Sequence, residues 1–361
     1  MARKSSSNPT LPEGYGYVRL AGLVRAALHA KLSVLVRGHP GVGKSTLARQ
    51  LADELGLPLI DIRLAQRDPV DLAGVYFPDR DTQTLVAYPP DWARQAEAAP
   101  AFVFLDEINA AVTRLHQAAA YQIVLERRVG NVHFHPDTVV MAAGNLEEDN
   151  AVVTSLSSAL CNRFVHFVHD ISVPDWIDWA AGNGVHPDVI AYIGAHGLEA
   201  LYDNNGDVAF PTPRSWAMAG QLLNRADEDD RKHLVAACVG RPAAEKLQSY
   251  MTIYRKIDAE KIVRKGLAMD FSAAGKSEAS FIYAAVFAVG TWIYKEPKLE
   301  DAALPNIVKF LRSPGLDAEY AFLFLRYLRS HDRGVWARLR PIPSFRVLAA
   351  ELVGLRRANF A

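Results

Sequence analysis

The chain has 361 residues, 40 basic and 40 acidic side chains, and an apolar half. That composition excludes wholesale disorder, and its length allows two or three domains with a sizeable core. Residues 1–170 carry 16 basic and 18 acidic groups and the remainder 24 and 22, so neither half has the excess of cations that a large duplex-DNA footprint needs.

Residues 1–16 are polar and rich in Gly and Pro, which predicts a flexible tail without the apolar stretch of a signal peptide. Val18–Ala30 has helical spacing of apolar residues, and Leu32–Val36 is a short β-rich run ending at Gly38. A helix is predicted from about Lys44 to the residue before Gly56. Leu59–Ile62, Phe102–Leu105, Thr138–Ala142 and Phe164–Val168 are further buried-strand candidates. Short apolar strands alternating with helices predict an α/β fold with a parallel sheet covered on both faces. After about residue 170 the strand-like runs stop, and Trp176–Ala181, Pro187–Tyr202, Ser215–Arg225 and Arg231–Lys256 are predicted helices. The expected domains are a core at 17–170, an all-α lid at 171–255 and a helical C-terminal extension at 256–361.

Ala279–Tyr294 is uncharged but, at 16 residues, too short for a membrane span. Cys161 and Cys238 are the two cysteines, too few to staple a chain of this size. Together these predict a cytoplasmic protein with no membrane segment.

Gly38-His39-Pro40-Gly41-Val42-Gly43-Lys44-Ser45 matches the phosphate-loop pattern without a mismatch, between a predicted strand and a predicted helix. The loop from Gly38 through Thr46 would wrap the phosphates with backbone N–H groups at a helix N-terminus. His39 itself is expected to be an exposed loop residue. Lys44 would reach the β- and γ-phosphates and the Ser45 hydroxyl would ligate Mg2+. Sixty-two residues after Lys44, the apolar run Phe102–Leu105 ends in Asp106 and Glu107. Asp106 would hold Mg2+ and Glu107 would polarise the attacking water.

The order of the remaining segments resembles that of an AAA+ ATPase, and most nearly the MoxR-type branch of the helix-2-insert group. Met141–Asn145 resembles the sensor-1 strand, which would make Asn145 a water-placing residue. Leu160–Phe164 resembles the arginine-finger segment, with Arg163 as the finger and Asn162 where relatives often have an acid. Pro211–Ser215 resembles the start of the sensor-2 helix, with Arg214 as its arginine. Asp68–Trp92 resembles a hairpin-bearing insert, and Glu126–Phe134 the hairpin before sensor 1. The resemblance spans roughly residues 17–250. It implies an AAA+ P-loop NTPase core, Mg-dependent ATP hydrolysis, and a homo-oligomeric ring, most simply a hexamer. It also implies remodelling of a protein client, with a von Willebrand factor A-type protein as an expected partner. ATP is likewise an implication, because no base-reading motif is visible. The competing readings are a nucleic-acid motor or restriction-type NTPase subunit, and a nucleotide-gated scaffold with little turnover.

Overall fold

The computed structural model describes residues 13–110, 113–146, 156–254, 257–272, 279–296 and 298–359. The chain forms two compact units, residues 1–171 and 172–361.

In the first unit, strand β1 (Gly14–Tyr15) precedes helix α1 (Tyr17–His29), β2 (Val34–Gly38), α2 (Lys44–Leu55) and β3 (Leu59–Arg63). Next come α3 (Pro69–Ala73), the hairpin β4 (Val75–Asp79) and β5 (Thr84–Tyr88), α4 (Asp91–Ala98) and β6 (Phe102–Asp106). The unit continues with α5 (Arg114–Tyr121), a second hairpin of β7 (Arg128–Val129) and β8 (Val132–His133), β9 (Val139–Gly144), α6 (Ser158–Cys161) and β10 (Val165–His169). A π-helical turn, Gln122–Glu126, links α5 to the second hairpin.

Six strands form one sheet in the order β1-β10-β2-β9-β6-β3, and every pair is parallel. Side chains alternate across it. Val34, Val36, Phe102, Phe104 and Met141 pack with Leu20, Val24, Leu47 and Leu51 on the face of α1 and α2. Leu35, Val103, Leu105, Val140 and Ala142 pack on the other face with Trp92, Ala120 and Ile123. A sheet buried on both faces explains why its central strands are apolar runs and not alternating ones.

Three boundaries differ from expectation. Of the predicted tail 1–16, residues 1–12 lie outside the described residues, whereas Gly14 and Tyr15 pair with Val168 and His169 as an edge strand. The single helix predicted for Pro187–Tyr202 breaks at Gly197, and that for Arg231–Lys256 breaks at Gly240. Both glycines have positive φ, +71° and +83°. At Gly240 a Cβ would also sit 2.6 Å from the Ala209 carbonyl oxygen.

The second unit is helical: α7 (Val173–Gly182), α8 (Pro187–His196), α9 (Leu198–Leu201), α10 (Pro213–Leu223), α11 (Arg231–Val239), α12 (Arg241–Tyr254) and α13 (Ala259–Lys265) are followed by five more. These are α14 (Ala279–Lys295), α15 (Leu304–Leu311), α16 (Ala318–His331), α17 (Arg333–Leu339) and α18 (Pro343–Asn359). Helix α14 packs against both α8 and α16, so the boundary expected at 255/256 falls inside one packed unit. Among the described residues no helix is long and apolar enough to cross a membrane.

Candidate nucleotide site

Parallel pairing places the carboxyl ends of β2, β9 and β6 along one edge of the sheet, with Arg37 opposite Gly144 and Leu105 opposite Ala142. Open α/β sheets bind ligands at this edge. The chain leaves β2 at Gly38 and turns through Gly41 and Gly43, whose φ values of +76° and +109° are left-handed and suit residues without a Cβ. Helix α2 then begins at Lys44, so the loop sits at a helix N-terminus with its unpaired N–H groups and positive dipole end.

Lys44 is buried, and its ammonium donates to Gly38 O at 2.6 Å, His39 O at 2.9 Å and Asn145 Oδ1 at 3.0 Å. Ser45 Oγ donates to Asp106 Oδ2 at 2.8 Å. The phosphate loop, the end of β6 and the residue after β9 therefore meet at one point. His39, expected to be exposed, is half-buried, while Thr46 is exposed on the first turn of α2.

Glu107 follows Asp106 with φ +56°, an uncommon conformation for a residue with a side chain. Its N–H donates to Asp106 Oδ1 at 2.9 Å and its carbonyl accepts from Ala110 N at 2.9 Å, which closes a tight turn. Ile108 N then resumes pairing, with Ala143 O at 2.9 Å. Asp106 still pairs with Arg63 at the end of β6, and Glu107 is the residue that steps out of the ladder.

His169 is a neighbour that sequence reasoning passed over. It ends β10, is 3% exposed, and its Nδ1 has no hydrogen-bond partner among the described residues. Its Cε1 would be 4.0 Å from a Cβ at Gly43, and its ring lies 5.8 Å from that of Tyr17. Burial, reinforced by the Lys44 charge, pushes its pKa down to about 4. The imidazole is therefore neutral at pH 7 and adds no competing cation beneath the loop. The pairing of Gly38 with His169 is the signal that places it there.

One expected site residue of this unit is not in this cluster. Arg163 lies just before β10, whose first residue pairs with Val34 at the start of β2. It is at the amino edge of the sheet, on the order of 13 Å of strand from the phosphate loop. There it is exposed, with Nη2 3.4 Å from the Tyr121 hydroxyl and the guanidinium 5.9 Å from that ring's centroid. Arg214 belongs to the second unit. It is exposed in the first turn of α10, where the Thr212 hydroxyl caps the helix by accepting from Ser215 N at 3.0 Å.

Residues 34–169 match the family model described as ATPase family associated with various cellular activities (AAA). Midasin of Giardia intestinalis is 24% identical over 186 residues, 49% of this chain. The match spans 4% of Midasin's own length. Among solved structures, a RuvB variant from Thermotoga maritima is 16% identical with a TM-score of 0.40, covering 75% of this chain and 86% of that one. NtrX from Brucella abortus, in complex with ADP, is 12% identical with a TM-score of 0.40, covering 96% of this chain and 70% of that one. The family match coincides with the phosphate loop, the acid pair and the sheet that joins them: residues 34–169 have the parallel-sheet P-loop fold that this family model describes.

Proposed function

We propose that this chain is a Mg-dependent ATPase of the MoxR type, working as a ring, most simply a hexamer, that remodels a protein partner. The cluster of Lys44, Ser45, Asp106 and Asn145 at one helix N-terminus carries the reading. Its donor set fits the groups it would receive. The Lys44 ammonium already has its donors placed among oxygen acceptors, and phosphate oxygens are charged acceptors of the same kind. The hydroxyl of Ser45 and the carboxylate of Asp106 are hard oxygen donors already within 2.8 Å of each other, the chemistry Mg2+ prefers. When bound there, Mg2+ would neutralise charge on the phosphates. Glu107, next to Asp106, would accept the proton of the attacking water, and Asn145 would help orient that water. Arg163 would act on the nucleotide of a neighbouring subunit, and Arg214 would report the nucleotide to the helical unit.

A protein partner is favoured by the β4–β5 hairpin. Val75, Tyr76, Phe77, Leu85, Val86 and Tyr88 are all exposed on it, and Phe77 and Tyr88 stack edge to face with centroids 5.2 Å apart. Monomeric soluble proteins rarely leave so many large apolar groups together in water. The turn between the strands satisfies itself, with Asp79 Oδ1 accepting from Asp81 N at 2.9 Å. The hairpin therefore folds without burying its apolar side chains, and they remain available to a client or to a von Willebrand factor A-type partner.

Steady-state phosphate release by the purified protein tests the ATPase reading, and absence of turnover with and without partner contradicts it. The hairpin has its own test. Tyr76→Ser combined with Phe77→Ser and Leu85→Ser is expected to keep basal hydrolysis within about twofold, since exposed surface changes rarely unfold a domain. The same variant in a Glu107→Gln background is expected to lose the partner that Glu107→Gln alone retains in a pull-down. Loss of basal hydrolysis would place the hairpin in the phosphate chemistry instead.

A further inference from the structure

We propose that Asn109 is a positioning residue that sets Asn145 against Lys44, an assignment that rests on the nucleotide site proposed above. Asn109 is 4% exposed and lies two residues beyond Glu107. Its Nδ2 donates to Asn145 O at 2.9 Å, and its Oδ1 accepts from Asn145 N at 3.0 Å. One side-chain amide thus makes both bonds that a paired strand would make to Asn145's backbone. It does so where both strands have ended, β6 at Asp106 and β9 at Gly144.

A primary amide suits this task because it offers a donor and an acceptor side by side. Asn109 also dictates its neighbour. A Cβ at position 144 would lie 2.7 Å from Asn109 Oδ1, so glycine is what lets the amide reach past to Asn145. With its N–H and carbonyl fixed, Asn145 retains only side-chain rotation, and its Oδ1 stands 3.0 Å from Lys44 Nζ. The turn that carries Glu107 and the residue that contacts Lys44 are in this way tied by two hydrogen bonds. A displacement of about 1 Å at such a residue is enough to cost about 10²-fold in rate.

The ordinary alternative is that Asn109 merely closes the end of the sheet. Two measurements separate the ideas. First, hydrogen exchange resolved at single amides: Asn109→Ala is expected to deprotect the Asn145 amide at least tenfold more than the amides of Val140 to Ala143. Asn109→Asp keeps an acceptor and is expected to preserve that protection. Uniform deprotection along β9, or loss of protection in Asn109→Asp as large as in Asn109→Ala, overturns the proposal.

Second, a double-mutant cycle on turnover. Asn109→Ala is expected to lower kcat by about 10–100-fold with Mg-ATP affinity changed less than threefold, and to cost less than threefold when Asn145 is already Ala. Equal losses in both backgrounds would mean that Asn109 does not act through Asn145. If the unmodified protein binds Mg-ATP but does not turn it over, the ATPase reading fails by itself. The exchange measurement still decides the role of Asn109.

Discussion

Arg163→Ala is expected to slow ATP hydrolysis by about 10³–10⁵-fold, the usual worth of an arginine finger, while Mg-ATP binding is unchanged. The reason is geometric. The phosphate loop follows the carboxyl end of β2, whereas Arg163 precedes the β10 residue that pairs with the other end of β2. One subunit does not bring the two together, but a head-to-tail neighbour in a ring can. A guanidinium is permanently charged and meets phosphoryl oxygens in a planar fork, and its exposed placement over Tyr121 would leave it accessible to such a neighbour. Mixing provides the decisive form of the experiment. Arg163→Ala and Lys44→Ala subunits are each expected to be inactive, yet a junction combining the intact phosphate loop of the first with the intact Arg163 of the second rebuilds a site. Hydrolysis should return in proportion to such junctions when subunits exchange. No recovery after verified exchange, or full activity in a strictly monomeric protein, would contradict the shared site.

Glu107→Gln is expected to bind Mg-ATP normally and to hydrolyse it about 10²–10⁴-fold more slowly, the range for loss of a general base. The amide preserves size but cannot accept the proton of the attacking water. Backbone strain makes the test more specific. At φ +56° Glu107 occupies a conformation that costs of order 1–3 kcal/mol without support. The Ala110 N to Glu107 O and Ile108 N to Ala143 O bonds supply support through the main chain, and Gln leaves both untouched. Loss of binding together with an unchanged rate per bound nucleotide would make Glu107 a structural acid.

The sheet was legible in the sequence because a strand buried on both faces must be apolar along its length, as Phe102–Leu105 and Val139–Ala143 are. The phosphate loop was legible because only glycine adopts the turns it needs cheaply and only lysine brings a compact charge to its floor. The helix breaks at Gly197 and Gly240 were harder to see. A lone glycine is tolerated inside many helices, and what forbids continuation at Gly240 is the close approach of the distant Ala209 carbonyl. His169 and Asn109 had no local pattern at all. Their positions follow from strand register, His169 opposite Gly38 and Asn109 beside Asn145, and register between distant segments appears only when the sheet is assembled. Arg214 could be placed at a helix start from its Thr-Pro-Arg-Ser setting, since the Thr212 cap and Pro213 at the first helical position are local signals.

The central claim is that Lys44 and the loop around it hold the phosphates of a nucleotide. Calorimetric titration of Mg-ATP into the unmodified protein and into Lys44→Ala tests it most directly, because it needs neither turnover nor a partner. The unmodified protein is expected to bind one nucleotide per functional site, and Lys44→Ala at least about 100-fold more weakly. Loss of one buried charge-assisted contact, worth roughly 3 kcal/mol, accounts for that factor. Equal affinity in the two proteins, with folding intact in both, would contradict the phosphate site and the function built on it.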